Sequence, residues 1–133
     1  MKRIRVPTPA PKPKAVWRQS LGGRAFQQGH GAEWIAAVWL MLKGYQLLGF
    51  RLKTPGAEID ILARRGRTLV VVEVKQRATM AAALIAIDPR QLERLRQAGA
   101  ALLRQRPSLA GLLLRIDTVA LAPRRFPRHR RNL

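Results

Sequence analysis

At 133 residues and 47% apolar composition, the chain is long enough to bury one core and too apolar for wholesale disorder. It contains no cysteine, which excludes disulfides and thiolate metal sites and suits a reducing cytoplasm. Twenty-six Lys and Arg against seven Asp and Glu give a net charge of +19. That charge points to a polyanion, because each neutralised phosphate releases condensed counterions.

The charge is unevenly spread. Lys2, Arg3, Arg5, Lys12, Lys14, Arg18 and Arg24 precede the first acid, Glu33, and Arg124, Arg125, Arg128, Arg130 and Arg131 crowd the C-terminus. No apolar run is long enough to span a bilayer and the basic N-terminus lacks a signal-type apolar stretch, so a soluble cytoplasmic protein is expected. Pro7, Pro9, Pro11 and Pro13 argue against the amphipathic helix of a transit peptide. Charge alone leaves open a ribonucleoprotein component or a binder of anionic membranes.

Residues 1–22 read as a basic, proline-rich arm with no element of its own. Residues 23–121 read as one α/β domain, and 122–133 as an Arg-rich tail. Ala32–Lys43 predicts a helix apolar on nearly every side, hence largely buried, stopped at Gly44. Tyr45–Leu52 predicts a first strand and Thr54-Pro55-Gly56 a turn. Glu58–Ala63 then alternates, placing Ile59 and Ile61 on one face and Glu58, Asp60 and Leu62 on the other. Leu69–Val74 is a β-branched run expected in a central strand. The two strands form a hairpin about Gly66-Arg67, and Gly at the first central position suits a type II′ turn.

Arg77–Ile87 is alanine-rich and ambiguous. Asp88 as N-cap, Pro89 at the first helical position and Gln91 three residues on predict a capped helix running to Pro107. Its apolar stripe is Leu92, Leu95, Gly99, Leu102 and Leu103, with Arg90, Arg94 and Arg104 off the stripe. Leu112–Leu121 predicts a last strand. The expected fold is α/β, in the order α-β-β-β-α-β, with a mixed sheet of about four strands flanked by helices.

Glu58-Ile59-Asp60 and Glu73-Val74-Lys75 carry the candidate chemistry. About the Gly66-Arg67 turn, Asp60 lies opposite Glu73, and cross-strand Cβ atoms are about 5 Å apart. Two carboxylates about 4 Å apart repel by roughly 4 kcal/mol at an effective dielectric near 20. One acid can stay protonated, Lys75 can offset part of the charge, or a hard divalent cation such as Mg²⁺ or Mn²⁺ can sit between them. The alternative is a surface hairpin with ordinary ion pairs. His30, in a Gly-His-Gly turn, and His129, among arginines, are unpersuasive as catalysts. Trp34 and Trp39 read as core, while Trp17 in the basic arm stays open between packing and base stacking. Asp117 reads as an ion-pair partner of Arg115.

The order of Asp60 followed by Glu73-Val74-Lys75 on the next strand resembles the PD-(D/E)xK signature of restriction-endonuclease-like nucleases. The wider run is Gly31-Ala32-Glu33, Lys43-Gly44-Tyr45, Glu58-Ile59-Asp60, Val72-Glu73-Val74-Lys75-Gln76-Arg77 and Arg115-Ile116-Asp117. It resembles the YraN-type family of small bacterial proteins over roughly residues 24–121. The resemblance implies a restriction-endonuclease-like core and a catalytic set of Glu33, Asp60, Glu73 and Lys75. It further implies Mg²⁺ or Mn²⁺ held by Asp60, Glu73 and the Val74 carbonyl, with Glu33 and Glu58 as added ligands. Arg51, Lys53, Arg77, Arg90 and Arg94 are the candidate nucleic-acid contacts, with DNA favoured over RNA as partner and a homodimer open. The sequence departs from the family pattern at Ala57, where a glycine is usual, at Phe50-Arg51, where Arg-Asn is expected, and at Gln91, where a lysine is expected. The expected activity is metal-dependent hydrolysis of phosphodiester bonds, on branched or damaged DNA among other substrates. The alternative is a non-catalytic nucleic-acid-binding module on the same fold.

Overall fold

The computed structural model describes residues 31–132; the expectations for the 1–22 arm, Trp17 and His30 lie outside them. In chain order the elements are α1 (Gly31–Leu42), β1 (Gln46–Lys53), β2 (Glu58–Arg65), β3 (Thr68–Gln76), α2 (Met80–Ile85), α3 (Pro89–Gln105), a 3₁₀ turn (Pro107–Leu109), β4 (Leu113–Leu121) and β5 (Arg128–Asn132). The five strands lie in sequence order in one sheet. Only β3 and β4 pair in parallel; β1–β2, β2–β3 and β4–β5 are antiparallel. This is the mixed α/β sheet flanked by helices that the sequence implies, with two additions.

The first addition is α2, inside the alanine-rich stretch, started by the Thr79 side chain accepting the Ala82 N–H. The second is β5, formed by residues that read as part of a basic tail. Arg128–Asn132 shows no apolar alternation. It pairs antiparallel with β4 from Ala120–Arg128 to Ile116–Asn132, and its buried anchor is His129, bonded to Asp117.

The parallel step from β3 to β4 carries α2 and α3 across one face of the sheet, and α1 covers the other. Leu95, Ala98 and Leu102 of α3 pack with Ile59, Leu62, Leu69, Val71 and Ile116. On the opposite face, Ala36, Ala37 and Leu40 of α1 pack with Ile61, Ala63, Val70, Val72 and Val119. The third strand, covered on both sides, is therefore the β-branched one. Gly99 lets α3 approach closely: a Cβ there would lie 2.7 Å from Leu114 Cδ1 and 3.1 Å from Val71 Cγ2.

Two details correct the sequence expectations. The first helix is not buried all round, since Ile35, Val38, Met41 and Leu42 are exposed. Its small residues, Ala36 and Ala37, face the sheet instead, which brings the backbone close. Gln91 also does not complete a capping box. Asp88 caps the Arg90 N–H, as expected, but the Gln91 amide oxygen accepts from Arg94.

Candidate metal and phosphate site

The β2–β3 hairpin turns where the sequence places it. Arg65 pairs with Thr68, Gly66 has φ 61° and Arg67 has no positive φ, as a type II′ turn requires. Counting back, the ladder runs from Arg65–Thr68 to Ile61–Val72 and stops one pair short of Asp60 and Glu73. There the alternation of β2 breaks. Ile59 and Ile61, expected on one face, belong to the α3-side and α1-side cores respectively. The cause is local: Asp60 Oδ2 accepts the Val74 N–H at 2.8 Å, taking the place of a strand carbonyl and turning its own side chain across toward β3.

That displacement brings Asp60 against Glu73. Glu73 is 5% exposed, and burial together with the Asp60 charge pushes its carboxyl up to about 7, against the pull of Lys75. Burial also raises Asp60, opposed by the Val74 N–H and by a hydrogen bond with Glu73. Lys75 Nζ sits 3.1 Å from Glu73 Oε2, with a quarter of its side chain exposed. Thus the hairpin gathers two carboxyls raised above their ordinary range and one ammonium that remains reachable from solvent. A pair like this fits Mg²⁺ or Mn²⁺, which use one or two carboxylates and complete their shell with water and phosphate oxygens.

Glu33 and Glu58 are placed differently. Arg51, on β1, donates to both Glu33 oxygens at 3.3 and 3.1 Å and lies 3.9 Å from Glu58. Its backbone has φ 49°, a conformation that non-glycine residues adopt at a cost. Among the described residues, no three or more His, Asp or Glu side chains close around a point that could hold a metal ion. The Arg51 guanidinium bonds Glu33 and lies near Glu58, and the Glu58 charge still adds to the rise of Asp60.

The candidate phosphate contacts scatter. Arg77 follows β3 and donates to the Gln76 carbonyl. Arg90 is exposed at the start of α3, and Arg51 is engaged as above. Lys53 and Arg94 both line a cavity of about 460 Å³ between the Thr54–Ala57 turn and α3, together with Gln97, Gln105 and Arg106. Asp60, Glu73 and Lys75 are not part of that lining.

A second polar centre went unread in the sequence. Asp117, fully buried, takes two hydrogen bonds from Arg115 at 2.8 and 2.9 Å and one contact from His129 at 2.7 Å. The ion pair with Arg115 is as expected; the His129 partner is not. Lys43 lies 2.7 Å from the other ring nitrogen of His129, and Arg115 also donates to the Tyr45 hydroxyl. Burial opposes ionisation of Asp117, but the bonds from His129 and Arg115 hold it below the usual carboxylate range.

Comparison with known proteins places these residues in a family. The model of the "Uncharacterised protein family UPF0102" matches residues 32–121. The chain belongs to this family. A UPF0102 protein of Caulobacter vibrioides (strain NA1000 / CB15N) is 57% identical over 112 residues, covering 84% of this chain and 90% of that one. One from Parvibaculum lavamentivorans is 48% identical over 120 residues, covering 90% of each. Another from Methylorubrum populi is 46% identical over 124 residues, covering 93% of this chain and 95% of its own. The UPF0102 match begins at Ala32 and ends at Leu121, so it spans α1 and the hairpin and stops before β5. No helix among the described residues is long and apolar enough to cross a membrane.

Proposed function

We propose that the protein is a divalent-metal-dependent, endonuclease-like enzyme that hydrolyses phosphodiester bonds in DNA, with branched or damaged DNA among its substrates. The observation that carries this reading is the hairpin pair: Asp60 and Glu73 are close enough that the Asp60 charge raises Glu73, and Lys75 is ion-paired to Glu73. Glu73, 5% exposed, beside the half-buried Asp60 is costly to ionise unless a cation completes the pair. Asp60, Glu73 and the Val74 carbonyl would hold Mg²⁺ or Mn²⁺. Once bound, the cation supplies Lewis-acid polarisation of the phosphoryl oxygen and neutralises charge that builds there.

The chain's own residues do the rest. Asp60, tied to the Val74 N–H, keeps a fixed orientation, which a reaction sensitive to placement requires. Lys75 orients the attacking water and stabilises the negative charge on the phosphate as the new P–O bond forms and the leaving P–O bond breaks. The surrounding excess of Lys and Arg draws the polyanion in and holds its backbone without reading its sequence.

A second reading, a nucleic-acid-binding module without catalysis, is favoured by one contact. Gln91, where the family pattern has a lysine, is committed to Arg94. Linear, nicked and branched DNA incubated with and without Mg²⁺ or Mn²⁺ separates the two. Metal-dependent cutting by wild type, lost in Asp60→Ala and Lys75→Ala, is the expected result. Cutting that survives in both variants overturns the site. Salt-sensitive binding with no cutting by wild type favours the second reading.

A further inference from the structure

Every acidic side chain of this chain is already engaged. Glu33 and Glu58 face Arg51, Glu73 holds Lys75, and Asp60 takes the Val74 N–H. Asp88 caps α3, Glu93 meets Arg96, and Asp117 meets Arg115 and His129. These are all seven acids. Arg124, Arg125, Arg128, Arg130 and Arg131, all exposed, make no ion pair among the described residues, and the 32 residues before Glu33 contain no acid that could supply one. Their charge is felt inside the fold: after burial, Arg131 is the main influence holding Lys43 below the ordinary lysine range. Five arginines within eight residues therefore have no side-chain counterion among the described residues.

The sheet register relates these arginines to the hairpin site. Lys75 pairs with Ala120, which pairs with Arg128; Glu73 pairs with Thr118, which pairs with Arg130. Directly paired residues share a face of the sheet, so Glu73, Lys75, Arg128 and Arg130 occupy the same face in two parallel rows. Two strand spacings separate them, about 10 Å across the sheet. Between them lies α2, packed on Ala120 through Met80 and Ala83. Its sequence, MAAALI, has no charge to repel a phosphate and little bulk to block one. The rows are held in place because His129, between the two arginines, is pinned from both ring nitrogens by Asp117 and Lys43.

We propose that Arg128 and Arg130, with Arg124 and Arg125 in the turn before them, form a backbone-binding rail. The rail grips the sugar–phosphate chain a few nucleotides beyond the phosphate held at Glu73 and Lys75. This rests on the nucleic-acid reading above and adds to it a direction: the bound strand leaves the site over α2 toward β5. The rail contributes grip and placement and takes no part in the chemistry.

The test uses the full chain and a fluorescent DNA duplex, with affinity followed by anisotropy across a KCl series. Each phosphate contact contributes about 0.9 to the slope of log K against log salt on duplex DNA. Arg128→Ser with Arg130→Ser should therefore lower the slope by about 1.8. Arg67→Ser with Arg104→Ser, which removes the same charge from exposed positions elsewhere, should leave it unchanged. Circular dichroism verifies that both double variants are folded. An unchanged slope in the β5 variant, or an equal fall in both variants, overturns the rail. So does a loss confined to binding of phosphatidylserine vesicles, which would make the patch a membrane contact. Cutting is scored separately. A slope that falls as stated in a protein that never cuts keeps the rail and removes the nuclease, whereas cutting with an unchanged slope does the reverse.

Discussion

Glu73→Gln should stabilise the metal-free protein, and increasingly so as the pH rises. Glu73 is nearly buried beside Asp60, and its carboxyl is pushed from the ordinary 4.5 up to about 7. A carboxyl whose folded-state value is raised binds more protons folded than unfolded between those limits, so stability falls as pH climbs through that window. At about 1.4 kcal/mol per pH unit, the loss is on the order of 3 kcal/mol by pH 8. The glutamine keeps the shape and sheds the charge, leaving Lys75 partly exposed and able to find water. Urea unfolding in EDTA at pH 5 and pH 8 measures the difference between variant and wild type at each pH. The gap should widen by about 3 kcal/mol toward pH 8 and close again when Mg²⁺ is added to wild type. A difference that stays constant across pH would refute the premise that the Asp60–Glu73 pair is held under electrostatic strain.

At the other centre the sign reverses. Asp117 is held below its ordinary value, so its contribution is present above about 3.8 and is lost as pH falls through the lower folded-state value. Asp117→Asn leaves Arg115 without its partner in a buried site, which costs about 3–5 kcal/mol at neutral pH. In acid unfolding, the variant and wild type should converge at the lowest pH. Gly99→Val places methyl groups against Leu114 and the fully buried Val71, and should cost about 1–3 kcal/mol by overpacking, read as a lower urea midpoint with unchanged slope.

What the sequence made legible was local. Gly66 demanded a turn and Asp88-Pro89 announced a helix, and both hold; the symmetric pairing of 60 with 73 stops one ladder pair short. The errors come from tertiary contacts that outweigh period-two reasoning. Strict alternation put Ile59 and Ile61 together, but Asp60 spends its carboxylate on the Val74 N–H and the strand shifts to the other face. Glu33 at the site came from the family resemblance; the structure shows its carboxylate bonded to Arg51. Residues Arg128–Asn132 lack any apolar signal, so a strand fastened by His129 and Asp117 looked like a tail.

The pair of carboxylates on the hairpin is the centre of the functional reading, and Mn²⁺ titration by calorimetry at pH 8 tests it most directly. Wild type should take up one ion per chain, and Asp60→Asn and Glu73→Gln should each lose it while remaining folded. No uptake by wild type, or equal uptake by all three proteins, would mean that the hairpin is not a metal site.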